Sequence, residues 1–482
     1  MFCLVLAIFV FFSVAGGATE LWEGANDLPE LGDAADVTLS LAQEKKIGRE
    51  IMQEIRAKDA SYLNDPETEA YLNQIGRRLA DASPDPSIGF YFFPLSDPTL
   101  NAFATFGGYV GVHSGLILAV RDESELAGVL AHEISHVTQR HLARGLSKSQ
   151  QLSGATLLAT AIAILAAHSR PELVGAAVTG AAAGAMQTQL GYSRDFEREA
   201  DRIGLQTLLK AGFDARGMSS FFARLQRATR LYENQAPVYL RTHPLTLERV
   251  SDMQNREART PYRQRPDSLE FHLIRARLEA MRQTPEQSIA LLRERVKEQK
   301  SANVDAARYG LAVAYARQKN WQEAERLLAD LRAKKLSSPI IDRLYAEVKV
   351  KGGDTAGGLA LFREAIARNP GATALIYSYA ECLMEARQLP DARRLLEQSA
   401  QKMPENTQLY RLLARAYALS NMPAAEHQAL GDAYAREGNL HAAIEQMELA
   451  RKMSAKDFYR SSIIDERLRQ LKKERQDEGV KN

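Results

Sequence analysis

Between residues 311 and 404 the chain repeats itself every 34 residues. Leu311, Ala312 and Ala324 return as Tyr345, Ala346 and Gly358, and Phe362, Ala365 and Pro370 complete that unit. Tyr379, Ala380, Leu383, Ala392, Leu396 and Pro404 follow in the next, and a last unit, offset by half a period, carries Leu430, Gly431, Tyr434, Ala443 and Ala450. One position departs: Tyr315 is answered by Lys349, so the second unit lacks that apolar contact. A fixed period of this length marks an array in which each unit buries its apolar face only by stacking on its neighbours.

The period and its small-residue positions resemble the tetratricopeptide repeat, in which small residues let two antiparallel helices approach and a proline ends the second. Residues 270–303 read as a degenerate first unit. Upstream, TPYRQRPD, with Pro261 and Pro266, marks a linker. With 482 residues the chain is too long for one ordinary core, and 45% hydrophobic against 25% charged residues is the balance of a folded protein. The expected organisation is a leading segment over residues 1–18, a first folded domain over 19–262 and a repeat domain over 268–480.

The segment AHEISHVTQRH carries an H-E-x-x-H pattern at His132, Glu133 and His136. Asp122 followed three residues on by Glu125 predicts a helix start, which sets the histidines a few turns into that helix. There the two imidazoles are one turn apart on the same side, within reach of one ion. Leu126, Val129, Leu130, Ile134 and Val137 cover a different arc, so the helix is expected to pack on that arc while the histidines open into a cleft. Glu133 lies beside the pair, placed to take a proton from water at a metal.

A catalytic zinc needs three protein ligands and one open position. A metzincin would continue H-E-x-x-H-x-x-G-x-x-H; here position 139 is Gln and 142 is Leu, which excludes that subclass. Further on, YSRDFEREADRIG offers Glu197 and, four residues along the same helix, Asp201. Glu197 can bind zinc, and Asp201 can orient a ligand histidine or hold a proton network. E-x-x-x-D alone is common on solvated helices; its weight comes from the pairing with H-E-x-x-H. Glu199 falls off that face and reads as solvated or salt-bridged. His113, on a predicted strand, and His141, five residues past His136, are not read as ligands.

Charged helical stretches over 40–58 and 65–82 precede FYFFPLSDPTLNAFATFGGYVGVHSGLIL, which predicts short strands with a turn at Gly107 and Gly108. The stretch from Asn101 to Gly115 is a candidate edge for an extended substrate, which an ordinary half-buried hairpin would equally explain. Two Ala-rich runs within residues 152–186 are each too short to span a membrane. They read as buried or interfacial helices beside the site, with a lid or a membrane-touching surface as the alternatives. The opening MFCLVLAIFVFFSVAGGATE has the layout of a secretory signal. Cys3 lies within it, so Cys382 is left without an intrachain partner and reads as a small buried hydrophobe. Lys plus Arg number 62 against 60 acidic residues, so nothing in the charge draws the chain to nucleic acid.

Together, NAFATFGGYVGVHSGLI, AHEISHVTQRH, FEREAD and THPLTLERV resemble the zinc metallopeptidase family that includes HtpX and the CAAX prenyl protease. With the export signal and repeat array, the chain is most similar to the periplasmic, repeat-containing branch of β-barrel assembly-enhancing proteases. The resemblance implies a mainly α fold with a small β-sheet, a zincin-like domain followed by an all-α tetratricopeptide-repeat solenoid. It implies one zinc per chain held by His132, His136 and Glu197, with Glu133 catalytic and Asp201 supporting proton handling. Implied partners are misassembled outer-membrane proteins as substrates and the assembly machinery through the repeats, with peripheral membrane contact an added possibility. The alternative is a chaperone or binding scaffold with a latent peptidase site. His243, in RTHPLTLERV, reads by itself as a surface or capping residue. The resemblance lets it face the metal, either as an oxyanion donor or as an occupant of zinc's fourth position.

Overall fold

The computed structural model describes residues 39–147, 194–231, 237–260, 265–298, 304–336, 338–454 and 457–480. The expected signal segment, the 152–186 runs and Pro261 lie outside the described residues. Among those described, no helix is long and apolar enough to cross a membrane.

The two amphipathic stretches form α1 (Leu41–Lys58) and α2 (Pro66–Ala80). Ser40 and Gln43 close a reciprocal cap on α1, and Asp65 caps α2, whose first residue is a proline. Strands β1 (Tyr91–Leu95), β2 (Ala102–Ala104) and β3 (Tyr109–His113) make one sheet in the order β1-β3-β2. β1 runs parallel to β3, and β2 antiparallel, with Phe103 opposite Gly111. Gly107 (φ 72°) and Gly108 (φ 85°) make the expected turn in a conformation that side chains disfavour. β2 is therefore an edge strand. A short α3 (Ser114–Ala119) leads to α4 (Glu123–Thr138), which carries the histidines. Asp122 caps α4 by accepting from the Glu125 amide at 2.9 Å. The helices α5 (His141–Ser147), α6 (Arg194–Lys210), α7 (Arg216–Leu231), α8 (Val238–Thr242) and α9 (Leu247–Glu257) surround it.

The repeats begin with α10 (Leu269–Arg282) and α11 (Pro285–Glu298), the degenerate first unit. Three pairs follow: α12 (Val304–Arg317) with α13 (Trp321–Ala333), α14 (Pro339–Lys351) with α15 (Thr355–Arg368), and α16 (Thr373–Glu385) with α17 (Leu389–Lys402). The half-period offset has a plain cause: the single helix α18 (Thr407–Leu419) intervenes before the pair α19 (Pro423–Arg436) and α20 (Leu440–Met453). In that pair Gly431 permits close approach, since a Cβ there would lie 3.1 Å from the Ala443 carbonyl oxygen. The helix α21 (Phe458–Val480) ends the array. Lys349, the departure from the pattern, instead joins Glu325 at 2.9 Å and Asp354 at 2.8 Å. Cys382 is buried, and burial pushes its thiol up to about 12.

The helices on either side of the linker pack together. One apolar cluster runs from Tyr71 and Leu72 on α2 through Phe271 and Ile274 on α10 to Leu344 and Val348 on α14. Polar bonds cross the same seam. The Arg277 guanidinium donates to Asp65 at 2.6 to 3.0 Å and stands 3.1 Å from Glu67, which also pairs with Arg343. At the far end of the array Gln53 on α1 donates to the Glu437 carbonyl, so the solenoid curls back onto the first helices of the chain.

Burial raises the Asp65 carboxyl, but Arg277 outweighs it and brings the group down from 3.8 to about 2. Because the folded value is depressed, this contribution is complete above the unfolded value of 3.8 and is lost as pH falls towards 2. It amounts to about 2 kcal/mol. Arg277→Ala should cost roughly 3–5 kcal/mol, since it strands buried carboxylates, and should flatten the acid limb of stability against pH. Chemical denaturation across pH 2 to 7 measures both effects.

Candidate metal centre

Every residue from Glu123 to His136 is buried, so α4 is enclosed on all sides. The expected cleft is absent among the described residues: His132, Glu133 and His136 are at most 2% exposed. The reason is what packs over the polar face. From one side α6 brings Glu197 and Asp201; from another, α8 ends at His243. Gly204, one turn beyond Asp201, makes the first approach possible, because a Cβ there would meet the His132 amide nitrogen at 3.1 Å.

His132, His136, Glu197 and His243 each offer one ligand atom, and these atoms all lie within 4.8 Å of one another. The Nε2 atoms of His132 and His136 are 3.0 Å apart. Glu197 Oε1 lies 3.5 Å from His136 Nε2 and 3.1 Å from His243 Nδ1, and Glu197 Oε2 lies 3.5 Å from His132 Nε2. Imidazole nitrogens and one carboxylate converging in a dry interior are a donor set that suits a zinc-type ion. Glu133 stands outside the group. Its Oε2 accepts from the Ala104 amide on β2 at 3.1 Å, and its Oε1, buried and without a hydrogen-bond partner among the described residues, lies 3.4 Å from His243 Nε2. The candidate substrate edge is thus fastened to the candidate base.

A second layer holds these groups. Asp201 Oδ1 lies 3.1 Å from His132 Nδ1, and Asp201 accepts two bonds from Arg249, at 2.7 and 2.8 Å. The same guanidinium reaches Glu197 at 2.8 Å and the Pro244 carbonyl at 2.6 Å. Burial opposes ionisation of both carboxylates, yet Glu197 is held well below the ordinary range by His243, His132 and Arg249, and Asp201 is lowered by Arg249 and His132. Burial raises Glu133 instead. Burial also lowers both histidines of the motif, but Asp201 and Glu197 bring His132 up to about 9, whereas His136, facing that imidazole, stays well below its ordinary value.

Arg249 escaped sequence reasoning although RTHPLTLERV contains it; the signal was a charged residue beginning a helix six positions after His243. By sequence His141 is not a ligand and Glu199 is solvated or salt-bridged. His141 is indeed outside the group of four, but it is buried with its Nδ1 2.8 Å from His136 Nδ1, and Glu199 pairs with it and with Arg144. His113 is buried at the end of β3, bonded to Thr99 at 2.8 Å.

The description of peptidase family M48 matches residues 66–257, and that of the tetratricopeptide repeat matches residues 350–416. The chain is 31% identical to the β-barrel assembly-enhancing protease of Escherichia coli, over 97% of this chain and 96% of that one. It is 33% identical to the protease of that name from Yersinia pestis, over 89% and 88%. A Vibrio cholerae relative of the same group is 35% identical over 93% of each chain.

Gly204→Val should push α6 away from α4 and so spread the ligand atoms. We expect reduced metal content after dialysis and a stability loss of roughly 1–3 kcal/mol, read by elemental analysis and thermal unfolding.

Proposed function

The chain belongs to peptidase family M48, and from that premise we propose that it is a periplasmic zinc endopeptidase acting on outer-membrane proteins during their assembly. The observation that carries the reading is the buried convergence of His132, His136, Glu197 and His243 beside Glu133. His132, His136 and Glu197 would hold one zinc per chain. When bound, the ion acts as a Lewis acid on the scissile carbonyl and lowers the pKa of water.

The protein's own groups do the rest. Glu133, with one oxygen fixed by the Ala104 amide, takes the proton of the attacking water on the other and passes it to the amide nitrogen as the C–N bond breaks. Asp201, with its Oδ1 3.1 Å from His132 Nδ1, favours the proton on that nitrogen and so keeps the Nε2 lone pair directed inward, and Arg249 keeps Asp201 ionised. β2, at the edge of the sheet, is the strand along which an extended substrate would pair. Residues 19–262 would form the peptidase unit and residues 268–480 the array that engages client proteins and the outer-membrane assembly machinery. The names of the full-length relatives support that setting, and the apolar opening sequence supports export.

His243 favours a second, compatible state. With its Nδ1 3.4 Å from His132 Nε2 and 3.1 Å from Glu197, it is placed to fill the fourth ligand position. In that state the molecule would hold clients without cutting them, as a chaperone with a latent site. Its alternative role is donation to the oxyanion of the tetrahedral intermediate.

Purified protein with zinc should cleave casein. Glu133→Gln should keep its zinc and lose cleavage by at least a hundredfold, while Glu197→Ala should lose zinc as well. A protein that only keeps casein soluble, with Glu133→Gln indistinguishable from wild type, would favour the scaffold reading. His243→Ala should retain zinc and change the cleavage rate strongly. A rise in self-cleavage or casein cleavage marks latency, a fall marks oxyanion donation, and unchanged kinetics return His243 to a packing role.

A further inference from the structure

The two histidines of the motif are supported differently. His132 faces a carboxylate directly, since Asp201 Oδ1 is 3.1 Å from its Nδ1. At the Nδ1 of His136 stands another imidazole, with His141 Nδ1 at 2.8 Å. The far nitrogen of His141, Nε2, is 3.1 Å from Glu199 Oε2. We propose that His141 and Glu199 form an imidazole–carboxylate relay that fixes the tautomer of His136 and thereby sets the protein's affinity for its metal. This rests on the zinc-site reading.

The direction of the relay follows from counting protons. Two ring nitrogens 2.8 Å apart share one proton. If it belonged to His141, His136 would carry its own proton on Nε2, which points at His132 Nε2 and Glu197, and could not offer a lone pair there. A ligating His136 therefore donates from Nδ1, His141 accepts on Nδ1, and the His141 proton sits on Nε2, where Glu199 accepts it. A metal-binding imidazole usually gives its second N–H to a carboxylate, carbonyl or water. Here the carboxylate acts from one ring further away.

The local structure is built for this placement. In a continuous helix, position 141 would point away from position 136. Instead α4 ends at Thr138, and Arg140 takes a left-handed φ of 52°. A non-glycine residue there is strained, and its guanidinium is tied down by Glu44 at 2.7 Å and the Leu39 carbonyl at 2.5 Å. The turn brings His141 back beneath His136. Its ring stacks on Phe196 at 4.5 Å with an interplanar angle of 11°, and Arg144 lies over the same Phe196 ring while donating to Glu199 at 3.0 Å.

The test is the zinc affinity of the full-length apo-protein by competition with a chromophoric chelator. His141→Phe keeps a ring for the stack on Phe196 but removes the acceptor, and should weaken zinc binding roughly 10- to 100-fold. His141→Asn, whose side-chain oxygen falls near the lost Nδ1, should recover part of that loss. Glu199→Ala, at the outer end of the relay, should weaken binding several-fold, with Glu199→Gln restoring it; this pair decides the matter if His141→Phe fails to fold. In the zinc-loaded wild type, ¹⁵N–¹H correlation spectra should show His136 protonated on Nδ1 and His141 on Nε2. Wild-type affinity in folded His141→Phe or in Glu199→Ala, or a His141 proton on Nδ1, would overturn the relay while leaving the zinc site standing. A wild type that binds no zinc would remove the site reading and the relay with it.

Discussion

Enclosing α4 on every side places two imidazoles and a carboxylate where water cannot solvate them, and the surrounding structure answers that cost. An unpaired ionised group in such surroundings is expensive, and the two carboxylates packed over α4 meet a partner of fixed geometry. Glu197 and Asp201 meet Arg249, a single guanidinium that serves both carboxylates and the Pro244 carbonyl. That contact fixes α9 against α6. Gly204 fixes α6 against α4, and the Ala104 amide fixes β2 against Glu133. Three elements, β2, α6 and α9, are positioned around the polar groups of one helix.

This explains which parts of the site the sequence reveals. His132, Glu133 and His136 share one helix, and Glu197 and Asp201 share another, so helical spacing alone suggests that each set acts together. Their mutual distance is a tertiary fact that only the resemblance supplied. Arg249 and His141 were illegible for different reasons. An arginine in a charged helix start looks solvated until Glu197 and Asp201 are seen against it. His141 looks misplaced at helical periodicity because a left-handed residue between it and His136 cancels the expected rotation. The closed site was illegible too: an amphipathic arc predicts one buried face, whereas the polar face of α4 is covered by α6 and α8.

The fold itself was more legible, because its signals are local or periodic. Caps at Ser40, Asp65 and Asp122 begin helices where the sequence predicts them, and Gly107 and Gly108 turn the chain between β2 and β3. The repeat period located the array and its half-unit offset. The junction was not legible. Pro261 and Pro266 read as a linker, and beyond it Phe271, Leu273 and Ile274 are fully buried in the same apolar cluster as α2 and α4. A linker-like composition describes the chain's path and is silent about the surfaces that follow it.

That seam reaches the metal helix directly. Asp267 accepts from the Glu123 amide at 2.8 Å, Ser268 donates to the Glu123 carboxylate at 2.5 Å, and Tyr71 donates to the same carboxylate at 3.0 Å. Ser268 also caps α10, so the first repeat helix and α4 begin on one shared set of hydrogen bonds. Any displacement of α10 by a partner must either carry α4 along or break bonds that are half-buried or better, which costs more than breaking them at a surface. The array and the peptidase helices are therefore mechanically joined at the residue that opens the metal helix. Contact of this kind transmits a signal only if an element in it has two stable positions. His243, at the end of α8, is one of the four converging side chains, and the bonds at Glu123 are where the seam reaches the helix that carries two of the others.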